Sequence, residues 1–184
     1  MMRQQLLNNP GELKMALNLE EIPFSELISA QNYNIDSLDS EIRADRYCTR
    51  LLKHFHLWLL EERRYEALDA GKLAAGADYF LREFMIGARR QNIFSAGEEQ
   101  LRQFGGNWYI ISNLEPNSAE LEPMLLGTAL FYAYGSEQNL FNTKKAAAIE
   151  ATAGETSFFS ERIEGFHRLE DDGYTAWDQA CALR

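Results

Sequence analysis

Residues 34–71 read NIDSLDSEIRADRYCTRLLKHFHLWLLEERRYEALDAG, and this stretch decides the fold. Set at about 100° per residue, Tyr47, Cys48, Leu51, Leu52, Phe55, Trp58, Leu59, Tyr65 and Leu68 crowd into one arc roughly 140° wide. A stripe that long predicts a single helix over residues 36–69, with the arc turned to a core. Asp36 is the expected N-cap, because its short acceptor side chain can satisfy amides that a first helical turn leaves unbonded. Asp39 and Glu41 follow, where the positive end of the helix dipole favours acids. Gly71 supplies the expected stop, since a residue without Cβ easily takes the left-handed conformation that ends many helices.

On the other side of this helix Arg43, Arg46, Arg50 and Lys53 follow 3-4-3 spacing and form a straight row. One more step of four reaches Leu57, with Leu60 close by. From Phe55 to Leu60 the helix is therefore apolar nearly all round, and such a helix is usually covered on every side. Either later helices lie over the outer face or another molecule does. The basic row admits two readings. It is a solvated face paired with acids of the tail or the N-terminal segment, or it is an anionic docking strip that ends in an apolar anchor. In the second reading Arg43, Arg46, Arg50, Lys53, Leu57 and Leu60 are the candidate partner-binding residues. An acidic peptide, a phosphorylated ligand or the protein's own symmetry mate would suit them.

Outward from this helix the signals stay helical. Leu73, Ala77, Phe80, Leu81, Phe84 and Ala88 share a face and predict a second helix over about 72–91. The short connection at Gly71 makes the two antiparallel. Ser95 with Glu98 three positions later is a capping box, opening a short helix that Gly105–Gly106 should end. Trp108–Ile111 is the one stretch of strand-like composition. It has no partner strand, and an extended or irregular buried segment is expected, a helical path being the alternative. Asn117 with Glu120 repeats the capping box before Leu121–Tyr134, with Pro123 as a first-turn residue and Gly135 as the stop. The tail offers Thr143–Ala153, Ser157–Leu169 and Tyr174–Leu183, separated by Gly154 and Gly173. Residues 1–35 read as a loosely structured segment with short helices near Gly11–Asn18 and Ser25–Ala30. The expected fold is all-α: one domain over 1–184, a helical bundle built on the long central helix, its antiparallel partner and shorter C-terminal helices.

Length and composition suit that fold. A chain of 184 residues can bury about 70% of its unfolded surface without staples. A hydrophobic fraction of 46% with 12% aromatics marks a folded chain rather than a disordered one. Two lone cysteines, Cys48 and Cys181, form no CxxC and suggest reduced thiols in a reducing compartment. The first residues lack an apolar run long enough for a signal peptide, and no run is long enough to span a membrane. A cytoplasmic location is the expectation. The formal charge of −10 is uneven, with residues 40–103 carrying eleven basic against ten acidic side chains and both ends strongly acidic. Such a chain repels nucleic acid at long range, and only its middle could present a positive surface.

Catalytic patterns are scarce. His54 and His56 sit two apart on a helix, so their rings diverge by about 160° and cannot share a metal. Neither has a glutamate three positions before it, and there is no HExxH. His167 could act as a base beside Glu164 or Asp171, but a histidine on an acidic amphipathic helix is more often a surface residue. Glu170-Asp171-Asp172 lacks a second acidic cluster to complete a metal site. Glu61, Glu62, Glu66 and Asp69 lie among arginines and read as charge balance. No GxSxG, P-loop or GxGxxG occurs. Aromatic residues such as Trp58, Tyr79, Phe84, Trp108 and Tyr134 are core by default, with a ligand pocket between helices as the alternative. No cofactor and no metal is expected. The leading expectation is a non-enzymatic protein-interaction module: an adaptor, an accessory or regulatory subunit, or an inhibitor. It would bind another protein or a second copy of itself through the outer face of the long helix. A small-molecule-binding protein or enzyme with an aromatic pocket is the alternative.

Overall fold

The computed structural model describes residues 22–170 and 172–181, and the regular structure among them is all helical. The chain enters through α1 (Phe24–Leu27) and a 3-10 turn (Ala30–Tyr33). Tyr33 is fully buried, and its hydroxyl donates to the Leu27 carbonyl at 2.7 Å. Leu27 and Tyr33 thus tie this short segment to the core, while the residues around them stay largely exposed. The helix expected at Gly11–Asn18 lies outside the described residues.

The long helix is α2 (Leu38–Glu61). Its cap is Ser37, one residue beyond the expected Asp36. Ser37 Oγ accepts the Ser40 amide at 3.2 Å, and Ser40 Oγ accepts the Ser37 amide at 2.9 Å. Two serines thereby make a reciprocal capping box, which Asp36 completes by accepting the Ser40 hydroxyl at 2.9 Å. The helix ends at Glu61, well short of residue 69. Arg64 takes φ 59°, and the Tyr65 amide reaches back to the Leu59 carbonyl at 3.0 Å. Arginine fills the left-handed position that glycine usually takes at a helix end. Glu137 fastens this corner, accepting from Trp58 Nε1 at 3.1 Å and from Arg63 at 2.5 Å.

Gly71 is therefore not a stop but lies inside α3 (Ala67–Asp78). That helix runs on without a break as a π-helix, π1 (Tyr79–Ala88). The wider turn persists at its end, where the Arg89 amide bonds the Phe84 carbonyl five residues back at 2.8 Å. The antiparallel partner of α2 is thus 67–88, where 72–91 was expected. Its direction is fixed by cross-links: Arg82 to Asp45 at 2.7 Å and Arg90 to Glu41 at 3.3 Å.

A third continuous rod follows: α4 (Glu98–Gln103), a second π-helix π2 (Phe104–Trp108) and α5 (Tyr109–Ser112). Trp108–Ile111 is helical, not extended, and Gly105–Gly106 interrupts nothing. Those glycines serve close packing instead. A Cβ on Gly105 would lie 2.7 Å from the Phe159 ring, and one on Gly106 would lie 2.9 Å from Cys181 Sγ.

The helix α6 (Ser118–Glu137) is capped by Asn117, whose side chain accepts the Glu120 amide at 2.9 Å. It carries Pro123 past its first turn and passes through Gly135 without stopping. The Gly135 carbonyl accepts the Leu140 amide at 2.7 Å, and Phe141 packs its ring where a Cβ would be. Against α3 the backbones nearly touch. A Cβ on Gly76 would sit 2.6 Å from Met124 Cα, and one on Gly127 would collide with the Leu73 carbonyl. The tail forms α7 (Thr143–Ala153), α8 (Thr156–His167) and α9 (Tyr174–Gln179). These pack on α6, on the α4–π2 rod and on one another, rather than on α2. The centre of the molecule is α2, α3–π1 and α6 side by side.

Aromatic rings fill the spaces between the rods. Phe55 meets Phe131 at 5.5 Å and Trp58 meets Tyr134 at 5.5 Å. Phe104 on π2 is fully buried among Phe80, Phe84 and Tyr79 from the α3–π1 rod and Trp108 on its own helix. Tyr132 donates its buried hydroxyl to the Ile93 carbonyl at 2.7 Å, and burial pushes that phenol well above the usual tyrosine range.

One charged clamp closes the tail onto the third rod. Arg102 grips Glu155 with two hydrogen bonds, at 2.9 and 2.5 Å. The hydrogen-bonding Arg102 holds the Glu155 carboxyl below the ordinary glutamate range. A carboxylate lowered by folding stabilises the fold above its unfolded pKa and ceases to do so as pH falls through its folded value. Wild type should therefore exceed Glu155→Gln by up to about 1 kcal/mol near neutrality, and the gap should close in acid. Urea midpoints at pH 7 and pH 3 check this; a gap undiminished at the lower pH would rule out an ionic origin.

Candidate docking face of the long helix

The two faces of α2 differ in what they touch. Ala44, Cys48, Leu51, Phe55 and Leu59 are wholly buried, and the Cys48 thiol is pushed up by burial first and by Asp78 second. Two acids of the helix, Asp45 and Glu41, are paired, while Asp39 and Glu61 are exposed. Asp45 takes two bonds from Arg82, which also reaches Asp78 at 2.9 Å, and Glu41 takes Arg90. Arg82 of π1 and Arg90 just beyond its end thus neutralise the side of α2 that faces them.

The cations of α2 are left over. Arg46 and Lys53 are exposed and Arg50 is half-buried, and among the described residues none of the three has an ion-pair partner. The nearest acid from α1, Glu26, accepts the Tyr47 hydroxyl at 3.0 Å. Arg43 stands apart from the other three. Its Nε donates to the Asn32 carbonyl at 3.3 Å and its Nη2 to the Asn34 carbonyl at 3.5 Å, so it splints the turn that leads into α2. Leu57 is 48% exposed, whereas Leu60 is half-buried and packs against the core. The face that remains accessible is Arg46, Arg50, Lys53 and Leu57.

Two residues extend it that the row alone did not reveal. Leu38 is 68% and Ile42 is 55% exposed. They lie one turn apart, and Ile42 is one turn before Arg46, so they continue the same strip toward the N-terminus of the helix. Their signal was available as apolar residues lying off the buried arc. The strip therefore reads apolar, basic, basic, basic, apolar. Beside it lies a cavity of about 540 Å³, walled by Ile22, Pro23, Phe24 and Leu27 on one side and by Arg50, Lys53 and His54 on the other. The His54 ring sits edge-on to Phe24 at 5.0 Å.

Other candidate chemistry is dispersed. His56 is half-buried, its Nε2 without a hydrogen bond. His167 is exposed, while Glu164 is bound to Arg168 at 2.5 Å and Asp171 lies outside the described residues. Glu61, Glu62, Glu66 and Asp69 are all exposed. Among the described residues no three His, Cys, Asp or Glu side chains gather as a metal site would require. Cys181 is half-buried, donates weakly to the Arg102 carbonyl at 3.5 Å, and has its thiol raised by burial.

Two further cavities flank the first turns of α6. One of about 610 Å³ lies against α3, with Lys72, Tyr79 and Glu120 as its polar lining; one of about 470 Å³ lies against α7, with Glu122, Glu150 and Thr156. Of the aromatic residues singled out from the sequence, Trp58, Phe84, Trp108 and Tyr134 stack on one another or on neighbouring rings rather than around a void. Among the described residues no helix is long and apolar enough to cross a membrane. No family model matches the chain, and no curated protein or solved structure is significantly similar to it.

Proposed function

We propose that the chain is a non-enzymatic interaction module that docks another protein on the outer face of α2. The observation that carries this reading is the row Arg46, Arg50 and Lys53: three cations without an acid partner among the described residues, bordered by exposed Ile42 and Leu57. A helix holds these side chains at fixed spacing, so the backbone needs no further ordering on binding and only their rotamers do. Electrostatics also speak to the kind of partner. A two-fold antiparallel pairing of α2 with itself would set Ile42 against Leu57 but also Arg46 against Lys53. A parallel pairing would set each cation against its own copy. Like charges brought together at an interface cost several kcal/mol, so a different surface, bearing acids, is the better match.

The test is recovery of partners by the tagged, full-length chain from its own cells. Wild type is compared with Arg46→Glu/Arg50→Glu and with Leu57→Asp. Both variants should keep the helical spectrum and melting temperature of wild type and lose the same set of recovered proteins. Recovery of an unchanged set by both folded variants would end the proposal.

A further inference from the structure

Resting on that proposal, we infer that the partner segment is itself an acidic amphipathic helix laid antiparallel along α2. The spacing on α2 sets its pattern. Ile42, Arg46, Arg50, Lys53 and Leu57 succeed one another at steps of four, four, three and four residues, the rhythm of one helical stripe. From Ile42 to Leu57 the strip is about 22 Å long, which is four helical turns. A helix crossing it nearly parallel in axis would show the complement in reverse: an apolar residue, three acids at steps of four, three and four, then a second apolar residue four further on.

Several observations favour a helix over a bare anion. The cations lie along a line rather than around a point, so one small anion meets at most two of them. Apolar residues close the strip at both ends, and a free phosphate would gain nothing from them. The inner acids of α2, Asp45 and Glu41, are held by Arg82 and Arg90, so they do not compete for the outer row. An antiparallel approach also opposes the two helix dipoles favourably. The cavity walled by Phe24, Leu27 and Arg50 broadens the strip on one flank and can take one bulky apolar side chain from the docked helix.

The experiment uses a capped helical peptide of about twenty residues with leucine, glutamate, glutamate, glutamate and leucine at those steps. Two companions are made, one with the glutamates replaced by lysines and one with the leucines replaced by serines. Binding to the full chain is followed by fluorescence anisotropy at low and high salt. The glutamate peptide should bind, with an affinity at least about tenfold above both companions, and should weaken as salt screens the contacts. The triple variant Arg46→Glu/Arg50→Glu/Lys53→Glu should lose the glutamate peptide and gain the lysine peptide. Failure of that exchange in a folded variant overturns the inference, as does equal competition by inorganic phosphate or a peptide-independent rise in mass by light scattering. If natural partners are lost from Arg46→Glu/Arg50→Glu while the peptide never binds, the docking module stands and only the acidic-helix partner falls.

Discussion

Gly127→Ala should destabilise the protein by about 3 kcal/mol, at the upper end of what overpacking a core costs. The added methyl would point into the Leu73 carbonyl, with the Ala77 amide nitrogen 3.2 Å away. Both are backbone atoms of a packed helix, and neither can swing aside as a flexible side chain could. Relief requires α3 and α6 to move apart, which loosens the largest helix pair of the core. The intrinsic helical preference for alanine over glycine returns only about 1 kcal/mol. For a chain of this length the melting temperature should drop by roughly 6–12 °C. The same substitution at Gly71 has the opposite sign. Nothing lies within 4 Å of a Cβ there, and the residue is inside a helix, so Gly71→Ala should stabilise by about 0.5–1 kcal/mol. Thermal and urea melts of the two variants side by side check both. Equal shifts in one direction would mean that the backbone contact at Gly127 is not what governs the fold.

Phe104→Ala should cost about 3–5 kcal/mol, the usual range for deleting a buried aromatic ring. Phe104 lies 5.3 Å from Phe80, 5.6 Å from Phe84 and 6.0 Å from Tyr79, ring to ring. It is the one ring of π2 wholly enclosed by rings of the α3–π1 rod. Collapse around the lost ring is hindered because each neighbour is itself held by others: Phe84 against Trp108 and Phe80, and Tyr79 against Trp108. Phe104→Leu, which keeps most of the volume, should cost less than half as much. Near-ultraviolet circular dichroism together with urea unfolding measures both. An alanine variant as stable as the leucine variant would show that the cluster repacks freely.

The helical class and the antiparallel pairing of the first two rods were legible because burial leaves a period in the sequence, and Leu51, Phe55 and Leu59 keep it without interruption. The ends of helices were harder to read. Gly71, Gly105–Gly106 and Gly135 look like punctuation, yet each lies within a helix. A glycine shows in the sequence that a side chain is missing but not what stands in its place. At Gly105 that is Phe159, more than fifty residues later, and at Gly135 it is Phe141. The true end of α2 carried no signal, since an arginine occupies the left-handed position at Arg64. The outer face of α2 proposed for docking was legible as a list of cations. Its accessibility was not, because that depends on which charges of α2 are neutralised by Arg82 and Arg90, and these are remote in sequence from Asp45 and Glu41. The separation of Arg43 from its row has the same cause: its carbonyl partners belong to a turn whose shape the sequence did not announce.

The two π-helices have a consequence of another kind, which concerns length rather than composition. A wide turn holds a surplus residue, and an α-helical turn of the same rise does not. Such a turn can give up its surplus residue and close to an α-helical turn, so a single-codon deletion within π1 leaves Arg82 facing Asp45 and Arg90 facing Glu41. α2 is α-helical throughout and holds no such surplus, so a deletion between Arg46 and Arg50 would turn everything beyond it by about 100° and break the row of cations. The chain has slack in length along π1 and none along its longest helix.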